Sequence, residues 1–156
     1  SNLDSVAELR RRGGGQLMTI VPDRDLQSAL NDALADAFPT TPIAWENVKF
    51  TPTVGTTYFR VWLLPAKSDV MTLGPSPWIE RGGIFQVSVF APIGTGFGAP
   101  KAKAAEVVAA FKANTSFIYN GLLVIIDKSW ISSGMNDEAG WYSIPVNIQY
   151  RCHFAD

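Results

Sequence analysis

The chain has 156 residues, 47% of them hydrophobic and 17% charged, so it is long enough for one domain with a real core and too apolar to be disordered. Net charge is −1, and the only basic run is Arg10-Arg11-Arg12, which argues against a strong phosphate-binding surface. The lone Cys152 excludes an internal disulfide, and no apolar run approaches the roughly 20 residues of a membrane span, so a soluble protein of a reducing compartment is expected.

Residues 1–17 combine Arg10-Arg11-Arg12 with Gly13-Gly14-Gly15 and have little apolar content. They read as a flexible leader or cloning remnant ahead of Met18, with a basic arm on nucleic acid as the alternative. Residues 18–156 are read as a single domain.

A helix is predicted over 23–38. Asp23 would cap it, Asp25 would favour its positive end, and Pro39 would stop it. Leu26, Ala29, Leu30, Ala33, Leu34, Ala37 and Phe38 form its apolar stripe. Residues 42–54 are irregular, with a brief strand at Ile43-Ala44-Trp45. A firmer strand spans 56–64, with Phe59, Val61 and Leu63 on one face and Tyr58, Arg60, Trp62 and Leu64 on the other. Residues 65–78 read as a long connector, because Gly74-Pro75-Ser76-Pro77 forbids a regular central strand.

Residues 82–114 are a complete packing unit. A strand over 82–91 sets Phe85, Val87 and Val89 against Ile84, Gln86, Ser88 and Phe90. A glycine loop over 94–98 leads to a helix opening at Pro100, whose Ala104, Val107, Val108 and Phe111 recur at spacings of three and four. A further strand spans 121–132, turn chemistry fills 133–140, and the last strand runs over 141–154. Pro145 inside that strand predicts an edge position or a bulge. The order gives an α+β sandwich: a mainly antiparallel sheet of about four or five strands with both helices on one face.

Gly94-Thr95-Gly96-Phe97-Gly98 sits between a strand and a helix, and Asp127 ends the next apolar run, the outline of a dinucleotide fingerprint. The spacing is GxGxG rather than GxGxxG, the preceding strand alternates, and Asp127 lies beyond the expected offset of roughly 20 residues. A structural connector without anion binding is the better account. Cys152 and His153 are single residues that would point to opposite faces of a strand, so they form neither a Cys–His pair nor a metal site. No catalytic residue, cofactor or metal is expected. Eighteen aromatic residues (five Trp, four Tyr, nine Phe) are many for this length; most read as filling the helix–sheet core, but both faces of the 56–64 strand carry large side chains, which leaves a subunit interface as the alternative. Tyr58 and Trp62, with Val70, Met71, Leu73 and Trp78 of the following connector, are therefore the candidate protein-interface residues.

Three segments resemble a known family. Ile43-Ala44-Trp45-Glu46-Asn47-Val48-Lys49-Phe50-Thr51-Pro52, Tyr58-Phe59-Arg60-Val61 and the strand from Gly82 to Phe90 look like the tail terminator, or tail-completion, proteins of long-tailed bacteriophages, over roughly 23–154. The resemblance implies a small structural protein, not an enzyme, whose copies form a ring of six at the head-proximal end of the tail tube. It implies as partners the chain itself, the tube protein and a head-completion protein, with assembly in the bacterial cytoplasm and a final place in the virion tail. The residues alone leave open a nucleotide-binding enzyme using the glycine loop, or a host protein-binding module.

Overall fold

Leucine at every fourth position draws the first helix onto the sheet. In the computed structural model, which describes residues 21–70, 78–137 and 139–155, this helix, α1, runs Pro22–Ala37. Leu26, Leu30 and Leu34 are fully buried on its inner side, while Ala37, expected in the stripe, is exposed. The cap differs from expectation: Val21 is the N-cap residue, Pro22 supplies the preset φ of the first turn, and Asp25 does the capping. Its Oδ2 accepts the Val21 N–H at 3.0 Å, and its Oδ1 accepts Arg24 Nε at 3.0 Å. Phe38, held outside helical geometry ahead of Pro39 (φ −131°, ψ 66°), ends the helix as expected.

The strands are β1 (Ile43–Ala44), β2 (Tyr58–Val70), β3 (Trp78–Pro92), β4 (Ser116–Tyr119), β5 (Leu122–Ile131), β6 (Met135–Asn136) and β7 (Trp141–Ala155), with α2 (Gly98–Ala110) between β3 and β4. They form one seven-stranded sheet in the order β1-β2-β3-β7-β5-β4, with β6 paired to β7. The expectation of four or five mainly antiparallel strands is corrected here. The sheet is larger, and it is mixed, because β1 runs parallel to β2. Helix α2 likewise opens at Gly98, two residues before Pro100.

Two sequence signals were outweighed. Residues 65–78 are not one long connector. β2 continues through Pro65 to Val70, and β3 is already a strand at Trp78, so Val70 pairs with Ile79. Pro65 is tolerated because the register shifts between Pro65 and Ser68, where the ladder needs no regular donor. Residues 71–77, including Met71, Leu73 and the Gly-Pro-Ser-Pro run, lie outside the described residues, as do residues 1–20 and the side chains of Val70 and Trp78.

Pro145 lies in a central strand, not at an edge. It faces Ser88 of β3 on one side, and on the other its carbonyl accepts Ser132 N–H at 2.9 Å just past the end of β5. The missing proline donor therefore falls where β5 departs, and little of the ladder is lost.

Register fixes the core. Phe59 faces Val89, which faces Ile144; Val61 faces Val87, which faces Val146; Phe85 faces Ile148. Directly opposed residues share a face, so this side of the sheet is continuous and apolar. Both helices pack on it, joining Leu26, Leu30, Leu34, Ala104, Val107 and Phe111 to one buried cluster. Cys152 belongs to that cluster, and His153 points the other way, 3.4 Å from Glu80, as alternation requires.

Candidate assembly face

Among the described residues, no helix packs on the opposite side of the sheet. Strand alternation sends Arg60, Trp62 and Leu64 of β2 to it, and the ladders align them with the neighbouring strands. One row reads Trp62, Gln86, Asn147, Trp130; the next reads Leu64, Ile84, Gln149, Lys128. Trp62 is 47% exposed, Leu64 49% and Trp130 38%, large apolar side chains left in water.

Several of the polar groups between them are paired with one another. Gln86 Nε2 donates to Asn147 Oδ1 at 3.0 Å, and Asn147 Nδ2 donates to Ser132 Oγ at 2.7 Å. Arg151 Nε donates to Asp127 Oδ1 at 2.7 Å, Asp127 being the extra residue where the β5–β7 register shifts. A surface whose polar atoms satisfy one another is desolvated at less cost than one whose donors face only water.

At one end the face is closed. Tyr58, expected among the exposed residues, is only 4% exposed. Its ring stacks on Phe90 at 5.0 Å, meets Trp141 edge-on at 5.1 Å and lies 4.9 Å from Phe50. The loop after β1 brings Phe50 over it, so Tyr58 packs the end of the face while Trp62 is exposed on it. The outer edge of β2 is guarded too. Beyond the two residues of β1, Glu46 Oε1 accepts the Leu63 N–H at 3.3 Å and Gln27 Nε2 at 2.8 Å.

Sequence reasoning found Trp62 but not Leu64, Ile84, Lys128 and Trp130 beside it. The period-2 pattern that separated Tyr58 and Trp62 from Phe59 also holds in β3 and β7. The bulge at Asp127, which sets the register of β5, has no comparable local signature.

The glycine loop is built for geometry. Gly94 and Gly96 have φ of +88° and +86°, Thr95 Oγ1 donates to the Pro92 carbonyl at 2.9 Å, and Phe97 is 66% exposed beneath the Lys101 ammonium. β3, the strand that feeds it, is antiparallel to both neighbours, whereas a dinucleotide site needs the parallel strands of a βαβ unit. Among the described residues no three His, Cys, Asp or Glu side chains converge as a metal site would require. Burial pushes the Cys152 thiol up to about 11 and raises the Tyr150 hydroxyl further, the reverse of what a nucleophile needs.

Fold and face together define a two-layer α+β protein whose chemistry is that of packing surfaces. The chain belongs to the phage tail terminator family, whose model, described as phage tail terminator protein, matches residues 25–150. One solved structure, 27% identical, covers 85% of this chain and 96% of its own with a TM-score of 0.68. A chain from the virion of a native gene transfer agent (GTA) particle, 20% identical with a TM-score of 0.53, covers 86% of this chain and 99% of its own, a likeness of fold alone. No curated protein matches. The protein is thus a structural component of the phage tail, associated with other parts of the virion.

Proposed function

We propose that copies of this chain close the head-proximal end of the tail tube as a ring of six, ending tube polymerisation and offering the surface to which a head-completion protein joins. The observation that carries this reading is the family match over residues 25–150. The bare sheet face supports it: a ring is a heterologous assembly, so each copy needs two unlike patches, and a face with exposed Trp62, Leu64 and Trp130 is suited to be one. In this reading Val70, Met71, Leu73 and Trp78, from the stretch that joins β2 to β3 in sequence, contact the neighbour or the tube. Assembly takes place in the host cytoplasm and the ring remains in the virion tail.

The test is electron microscopy of tails assembled in cells with and without the chain. Without it, tubes should be overlong, variable in length and free of heads. Tails of normal length joined to heads in its absence would overturn the reading.

A further inference from the structure

We propose that the bare sheet face of one copy is covered by the outer side of α1 of the next, so that neighbours in the ring meet helix on sheet. This rests on the ring reading above and names the two patches that such a ring requires.

Charge selects the helix. On the sheet face Arg151 is held by Asp127, and His153 lies against Glu80. Arg60 and Lys128 have no carboxylate at ion-pair distance among the described residues. They lie instead over aromatic rings, Arg60 5.9 Å from Tyr58 and Phe90, Lys128 5.6 Å from Trp130. On α1, Asp25 is paired with Arg24 and Asp23 with Arg81. That leaves Asp32 and Asp36 exposed, with no cation at ion-pair distance among the described residues. Four residues apart, they stack on one side of the helix and repel each other. Asp36 also sits in the last turn, at the negative end of the helix dipole, and no basic residue is there to offset it. A cation arriving from a neighbouring copy would relieve both strains. Helix α2 does not suit the role, because its exposed Lys101 would set like charge against Arg60 and Lys128.

The dimensions agree. From Ser88 to Glu80 the face runs about 27 Å at ~3.4 Å per residue, and five strands at ~4.8 Å make it about 24 Å across. That is a face of roughly 650 Å², of which one helix about 10 Å wide would cover about 240 Å², a small contact repeated between successive copies of the ring. The sixteen residues of α1 span about 24 Å, so one helix reaches across the face.

Three variants test this: Lys128→Glu, the pair Asp32→Lys with Asp36→Lys, and all three changes in one chain. All three positions are exposed, so each variant should still fold and melt within a few degrees of the wild type. The first two should cut the yield of ring-capped tails at least tenfold, and the triple variant should recover most of it. Lys101→Glu should leave the yield unchanged. In a second measurement, a chain carrying Trp62→Cys and Asp32→Cys should give head-to-tail disulfide ladders of up to six copies in assembled tails. Wild-type capping by the first two variants, no recovery in the triple, or no ladder would overturn the contact. If tails lacking the chain altogether are overlong while the charge-reversed chains still cap them, the ring stands and the helix-on-sheet contact is wrong. If tails lacking it are normal, the ring reading itself fails.

Discussion

At Gly83 the structure depends on the absence of a single carbon. A Cβ there would collide with the Leu64 carbonyl and lie 2.6 Å from the Tyr150 hydroxyl, both firmly placed, one by the backbone and one by a buried ring. Gly83→Ala should therefore cost about 2 kcal/mol or more, read as a lower midpoint in chemical denaturation, and an unchanged midpoint would contradict the packing. Tyr150 and Cys152 also set a pH limit. Burial raises both acids, Cys152 from an ordinary 9.0 to about 11, so the folded state holds their protons more tightly than the unfolded state does. The stability held by Cys152 is fully present below pH 9 and is lost as pH rises through 11, while that held by Tyr150 is lost only from pH 10 upward. Denaturation midpoints should fall across that window, and Cys152→Ala should flatten part of the fall; an equal slope in the variant would contradict this origin. Little of this is legible in a string of letters. Gly82-Gly83 announces a permissive backbone, but only the β3–β7 register reveals that a tyrosine occupies the vacated space.

Among the elements, α1 was legible because its leucines carry both period and burial, and Pro39 sets its end. Its start was not, because the capping carboxylate comes from Asp25, one turn inside, rather than from Asp23. Asp25→Ala should leave the Val21 N–H unpaired and lower stability by about 1–2 kcal/mol, seen in thermal melting; no loss would mean that the cap is idle. β4 was missed although a signal was present. Asn120-Gly121, with φ of 51° and 83°, forms the two-residue turn that joins β4 to β5, and this dipeptide is the strongest short-range hairpin mark. The β2–β3 hairpin was underestimated for the opposite reason. Pro65 argues against a regular central strand, but β2 lies near the sheet edge, with only two-residue β1 beyond it, and its register shifts just after Pro65.

For the whole molecule, the sandwich with two helices on one face followed from the alternation in residues 82–114. The extent of the bare face did not follow, because it is a property of seven strands in register. The free chain should be mostly monomeric, since the proposed contact is polar at its margins, joins unlike patches and is smaller than that of an obligate oligomer. Light scattering at micromolar concentration should give a mass near 17.0 kDa, and a stable hexamer there would contradict that expectation. The most direct measurement is cryo-electron microscopy of purified tails with this chain located in the density. The account predicts six copies in a single ring at the head-proximal end of the tube and none elsewhere. Copies distributed along the tube, or placed at the distal tip, would contradict it.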